Sequence, residues 1–138
     1  MSAVTAVPFL DLSTAFKALE AEWLETIRAS GAKGSFILGP QTVEFEKEFA
    51  RYVGVKHAIG VANGTDSLIL SLRALGIGPG DEVITTPWTF FASAESISIV
   101  GATPVFVDIR PDTYCLDPDS IVKRLTPKTR AIMPVHIF

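Results

Sequence analysis

Asn63-Gly64-Thr65-Asp66-Ser67 sets a glycine, two hydroxyl side chains and an aspartate directly ahead of a leucine-rich run, Leu68 to Leu75. A short apolar run, His57 to Ala62, precedes it. These patterns predict a strand, a tight turn and the start of a helix. The first turn of a helix leaves N–H groups unpaired and carries the positive end of the helix dipole, so it suits an anion, most often a phosphate. Gly64 lets the backbone bend and lie close to a ligand, and Thr65 and Ser67 add hydroxyl donors. The same residues also describe an ordinary strand-to-helix turn, capped by Thr or Asp, that binds nothing.

A second stretch stands out at Thr85-Thr86-Pro87-Trp88-Thr89-Phe90-Phe91, where three aromatics crowd the residues after an apolar run. Read alone, they are hydrophobic bulk for a core first and a stacking platform for a flat ligand second. Taken with the turn at 63–67, they suit a flat ring bearing a phosphate, and a nucleotide or pyridoxal phosphate would both fit. Neither G-x-G-x-x-G nor a Walker A is present. Gly76-x-Gly78-x-Gly80 follows a helical pattern and precedes a strand pattern, so it reads as a turn. Asp108 reads as a cap or turn former, His136 as a structural hydrogen-bonding residue at a strand end, and Cys115 as a small core residue. The chain has one cysteine and two widely separated histidines, which argues against a disulfide framework and a metal site.

The elements that must hold these residues begin with a helix from Ser13, its N-cap, to a stop at Gly31, with Phe16, Leu19, Trp23 and Ile27 on one face. A second helix is expected from about Thr42 to Val53, with Phe45, Phe49 and Val53 as its apolar stripe and Gly54 as its end. Between them, the glycine-rich stretch Gly31 to Pro40 carries Phe36, Ile37 and Leu38. These side chains are expected first to plug an adjacent core, and alternatively to line a pocket or a subunit contact. From there apolar runs centred near Val61, Val83, Val105 and Ile132 alternate with helical stretches at Thr65–Leu75, Phe91–Val100 and Asp117–Leu125. Asp117-Pro118 has the form of an N-cap followed by a first-turn proline. Strand, helix and strand in repetition predict an α/β fold with right-handed crossovers and a mainly parallel sheet flanked by helices. Pro134 places the last strand at an edge, or ends it. Ligands of such sheets sit beyond the carboxyl ends of the strands, here Asn63–Ser67, Thr85–Phe91, Asp108–Asp112 and Val135–Phe138.

Hydrophobic residues make up 48% of the 138 and charged residues 20%, as in a soluble globular protein that can bury a core. The mean hydropathy of +0.36 favours a sheet-centred core with apolar surface left for another domain or subunit. A net charge of −3 without a Lys/Arg cluster argues against nucleic acid or an anionic membrane as partner. No apolar run approaches the roughly 20 residues of a membrane span. The start, Met1-Ser2-Ala3-Val4, lacks a signal-peptide pattern, so a cytoplasmic protein is expected. A sheet ending at Phe138 with no helix to cover it reads as the front part of a longer protein.

In order along the chain, Gly39-Pro40 ahead of Phe45-Glu46, Asn63–Ser67, Leu75–Ile84, Thr86-Pro87-Trp88-Thr89-Phe90, Gly101–Asp108 and Pro134-Val135-His136 form a series. Through that series the chain resembles the N-terminal part of the DegT/DnrJ/EryC1/StrS group of pyridoxal-phosphate-dependent sugar aminotransferases. The resemblance implies fold type I: an N-terminal helical segment and active-site loop over 1–54, and the first part of the large cofactor-binding α/β domain over 55–138. It also implies pyridoxal 5′-phosphate as cofactor, a nucleotide-linked ketosugar and an amino-acid donor as substrates, and a homodimer with active sites at the subunit interface. By the same resemblance Gly64, Thr65 and Asp66 match the turn whose amides hold the cofactor phosphate. Phe90 matches the residue stacked on the pyridine ring, and Trp88 is the lesser candidate. Phe36, Ile37 and Leu38 fall in a loop that walls the active site. The family's Schiff-base lysine is expected beyond Phe138. None of the six lysines, at 17, 33, 47, 56, 123 and 128, has its context, so this length of chain is expected to be inactive alone. A pyridoxamine-phosphate-dependent sugar dehydratase and a non-catalytic regulatory or truncated relative are the alternatives.

Overall fold

The first helix begins where a carboxylate, rather than a hydroxyl, takes up the free groups of its opening turn. In the computed structural model, which describes residues 7–137, α1 spans Ser13–Lys33. Ser13 is its first helical residue and not its N-cap. Asp11 accepts from the Ser13 N–H at 2.9 Å, from Ser13 Oγ at 2.6 Å and from Thr14 Oγ1 at 2.7 Å. The Ser13 and Thr14 hydroxyls hold the Asp11 carboxyl at about 2, below its ordinary value of 3.8. A depressed carboxylate stabilises the fold above its ordinary value and loses that contribution as pH falls from 3.8 through 2. Protection of the Ser13 and Thr14 amides relative to their intrinsic exchange should therefore fall over that window, and Asp11→Asn should remove that pH dependence. The helix continues through Gly31 and stops at Gly34, whose φ of 62° suits a residue without Cβ.

The chain divides into two compact units, Met1–Gly60 and Val61–Phe138. In the first, α1 is followed by α2, Pro40–Val53, with Gly39 as N-cap and Pro40 in the first turn. The helical stripes appear as expected, but their residues remain largely exposed: Phe16 meets Trp23 edge to face at 5.8 Å, and Phe45 stacks on Phe49 at 5.5 Å. Among the described residues of this unit, Ala50 is the buried hydrophobic one. The expectation that Phe36, Ile37 and Leu38 plug a core is therefore corrected, since all three are exposed and this unit has almost no interior to receive them.

The second unit contains α3 (Gly64–Ala74), β1 (Glu82–Thr85), α4 (Ala92–Ile99), β2 (Thr103–Phe106), α5 (Pro118–Arg124) and β3 (Thr129–Ile132). The sheet order is β2-β1-β3, and both pairings are parallel. β1 is central, so its successive side chains enter two cores. Val83 joins Leu72, Ile77, Ile97 and Ala102, whereas Ile84 joins Val107 and Leu116. Gly101, at φ 85°, lies where an added Cβ would come within 2.9 Å of Pro79 Cγ, so the crossover into β2 closes tightly only with glycine there.

Two further expectations are corrected. The apolar run around Val61 forms no strand. A strand exists only through a neighbour's ladder, and the Gly60 N–H instead donates to Glu46 Oε1 at 2.7 Å. Cys115 is exposed rather than buried, because the next residue, Leu116, takes the core position under the sheet. By contrast, Asp117 caps α5 ahead of Pro118, accepting from the Asp119 N–H and Ser120 Oγ, and the Ser120 bond draws its carboxyl below the usual range. β3 lies at an edge of the sheet and ends before Pro134.

Candidate functional site

Asn63, with φ −165° and ψ 177°, is extended backbone that turns directly into α3. It is the N-cap of this helix, in place of the Thr or Asp expected. Its Oδ1 accepts the Asp66 N–H at 2.9 Å, and its Nδ2 donates to Asp66 Oδ2 at 3.0 Å. The pair is reciprocal, and it fixes both the opening turn and the Asp66 carboxylate. Asparagine is among the strongest N-caps, which is the signal that could have identified it. The Ser67 N–H closes on Asn63 O, and Ser67 Oγ donates to Gly64 O at 2.7 Å.

Those bonds sort the donors of the turn. The Ser67 hydroxyl proton and the Asp66 N–H, both expected to be available to a ligand, are used within the turn. The N–H groups of Gly64 and Thr65 have no acceptor among the hydrogen bonds of the described residues. They stand with the Thr65 hydroxyl at the positive end of an eleven-residue helix. Two backbone donors, a hydroxyl and a helix dipole make a donor set that fits a phosphate.

Topology sends this turn and the aromatic stretch to the same edge of the sheet. Leu72, in the last turn of α3, packs with Val83 at the start of β1, so α3 begins at the end towards which β1 runs. Trp88, Phe90 and Phe91 follow β1 at that end. The expectation that they serve first as core packing is corrected: Phe90 is 78% exposed, and Trp88 and Phe91 are exposed as well. They lie past the last β1–β2 register pair, Thr85 with Phe106, where no layer of the described residues covers them. An open groove of about 220 Å³ is lined by Thr86, Pro87, Phe90, Phe91 and Phe106. Buried Thr86 accepts the Trp88 N–H at 3.0 Å, Phe90 O accepts the Ser93 N–H at 3.2 Å, and the Thr89 and Ser93 hydroxyls meet at 2.9 Å. The loop is thus fastened to the first turn of α4, with the Phe90 ring left free to stack on a ligand.

Phe36, Ile37 and Leu38 belong to the first unit. There Phe36 reaches back over the end of α1, its Cζ 3.6 Å from the position of a Cβ on Gly31, and edges a groove of about 210 Å³ with Ile27, Ser30 and Gln41. Leu38 holds a φ of 48°. Asp108 accepts from the Ile109 N–H as a turn former, and His136 is exposed. Among the described residues there is no cluster of metal-ligand type, and no helix is long and apolar enough to cross a membrane.

A helix start with free donors and an exposed aromatic after the neighbouring strand lie at the carboxyl end of a parallel sheet, where α/β proteins bind their ligands. The chain belongs to the DegT/DnrJ/EryC1/StrS aminotransferase family, whose model matches residues 17–138. It is 48% identical over 132 residues to the dTDP-3-amino-3,4,6-trideoxy-alpha-D-glucose transaminase of Streptomyces venezuelae, covering 96% of this chain and 35% of that protein. It is 46% identical over 132 residues to a protein of Geobacillus stearothermophilus named pleiotropic regulatory protein, covering 96% and 36%. The crystal structure of ntda from Bacillus subtilis with bound cofactor pmp superposes with a TM-score of 0.92 at 38% identity, over 97% of this chain and 31% of that one. The fold is accordingly that of the first part of a fold type I enzyme, and the chain spans about a third of the length of the relatives it matches.

Proposed function

We propose that these residues form the phosphate-anchoring and ring-stacking part of a pyridoxal-phosphate-dependent aminotransferase acting on a nucleotide-linked ketosugar, with glutamate as amino donor. The observation that carries the proposal is the pair of unspent N–H groups, Gly64 and Thr65, at the start of α3. Those two groups and the Thr65 hydroxyl would hold the phosphate, and Phe90 would lie against the pyridine ring. Asp66 would act through its reciprocal bonds with Asn63, which keep the turn shaped and its carboxylate turned onto the Asn63 amide. Bound there, the cofactor supplies the electron sink for amino transfer. The protein residues position the ring and hold its phosphate.

In this reading residues 1–54 are an N-terminal helical segment whose Phe36, Ile37 and Leu38 wall the active site, and 55–138 begin the large cofactor-binding domain. The Schiff-base lysine belongs to the two thirds of the relatives that this chain does not span, so the 138 residues bind and orient without turnover. The working enzyme is a cytoplasmic homodimer. Titrating pyridoxal phosphate into the 15N-labelled chain should shift the Gly64 and Thr65 amides first, and unmoved amides at saturating ligand would refute the anchor. A polypeptide carrying this segment together with the rest of the family length should convert glutamate and a nucleotide ketosugar to 2-oxoglutarate and an amino sugar. The name of the Geobacillus relative favours a second reading, a regulatory protein built on the same fold. Ligand binding without amino transfer in that longer polypeptide would select it.

A further inference from the structure

The loops after β1 and β2 are joined by an aromatic stack. The rings of Trp88 and Tyr114 lie 6.4 Å apart with 26° between their planes. Tyr114 has a φ of 55°, in the left-handed region that bulky L residues seldom enter. The chain is held on both sides of it. The Tyr114 N–H donates to Arg110 O and the Arg110 N–H to Cys115 O, both at 2.9 Å. Arg110 grips Asp112 through two parallel bonds of 3.0 and 2.9 Å. Ile109 and Leu116 form an antiparallel bridge, and Leu116 is buried beneath Ile84 and Val107. A turn so constrained maintains a costly backbone conformation at Tyr114, and that conformation delivers its ring to Trp88.

Trp88 precedes Phe90 by two residues. The segment between β1 and α4 is fixed at its start by Thr86 and at its end by Ser93. Between those anchors the Trp88 ring stacks on Tyr114. We infer that Tyr114 is a positioning residue: it props Trp88 and thereby sets the loop so that the Phe90 ring meets a flat phosphorylated ligand face to face. This rests on the cofactor reading above. It adds a residue from the following strand end whose effect falls on the ring of the ligand and not on its phosphate.

The test uses the 138-residue chain with Trp23→Phe, which leaves Trp88 as its one tryptophan, and compares Tyr114→Phe, Tyr114→Ala and Tyr114→Gly. Pyridoxal phosphate affinity is read from quenching of Trp88 emission, inorganic phosphate affinity from the Gly64 and Thr65 amide shifts, and folding from circular dichroism. Tyr114→Phe, which keeps the ring, should bind pyridoxal phosphate more tightly than Tyr114→Ala. Tyr114→Ala and Tyr114→Gly should lose about five- to tenfold in pyridoxal phosphate affinity, the size of one aromatic contact, with inorganic phosphate affinity unchanged and Trp88 emission moved to longer wavelength. Tyr114→Gly accepts the left-handed backbone without strain, so its loss isolates the ring from the conformation. Equal pyridoxal phosphate affinity in parent and Tyr114→Ala, or equal losses for both ligands, overturns the inference and leaves the cofactor reading standing. A parent chain that binds neither ligand overturns that reading, and this inference with it.

Discussion

Replacing Ile97 with alanine is expected to destabilise the second unit by about 2–5 kcal/mol. Ile97 is 0% exposed and sits at the centre of the cluster formed with Leu72, Ile77, Val83 and Ala102. That cluster joins α3, α4 and β1, so a cavity there loosens three elements together. Besides Ile97, its members Ile77 and Val83 are β-branched with stiff side chains, which limits how far the neighbours can collapse into the space. Domains of this size have a total stability of about 5–15 kcal/mol, so the truncation removes a large share of it. Urea unfolding followed by circular dichroism should show a lowered midpoint with the slope unchanged, and Ile97→Val should lose only about 0.5–1.5 kcal/mol. A midpoint for Ile97→Ala no lower than that for Ile97→Val would mean that this cluster is not the unit's core.

Gly64→Pro is expected to leave the fold intact while reducing phosphate affinity about ten- to a hundredfold, the equivalent of one charge-assisted hydrogen bond. Gly64 is the first helical residue after the Asn63 cap, the position where proline is best tolerated because its N–H has no intrahelical partner. The residue before a proline must be extended, and Asn63 already is. A Cβ on Gly64 would meet nothing within 4 Å. The substitution therefore removes a donor with little structural disturbance. Thermal unfolding should stay at or above that of the parent while binding of both inorganic phosphate and pyridoxal phosphate falls. Unchanged affinity in a folded variant would exclude the Gly64 N–H as a ligand.

The features legible in the sequence are those that depend on a residue's near neighbours along the chain. Asp117-Pro118 begins a helix, Gly54 ends one, and the alternation from residue 64 onward gives parallel strands with helical crossovers. The failures involve partners far along the chain. The run at Val61 is as apolar as a strand, but no strand among the described residues pairs with it. Phe36, Phe90 and Phe91 are as hydrophobic as core residues, but they stand exposed among the described residues. Leu116 takes the core place expected of Cys115, because one residue of register decides which side chain is buried. At the site, the turn at 63–67 is recognisable as a helix start. Which donors it spends on itself is not, because that depends on the rotamers of Asn63 and Ser67. Tyr114 gives no signal at all, since no sequence pattern marks a tyrosine that will adopt a left-handed backbone.

The sheet order also has a consequence for how the molecule is made. β1 pairs on one side with β2, which follows it after a single helix, and on the other with β3; the Thr85 hydroxyl bonds Met133 O across 48 residues. At about 5–20 residues per second, the ribosome needs about 2–10 s to deliver those residues. Until then the nascent β1 offers an open ladder edge, flanked by side chains that end up fully buried. Over that interval any other extended segment can pair where β3 belongs. Slow translation between Thr85 and Thr129 should therefore lower the yield of soluble chain more than an equal delay placed before residue 60.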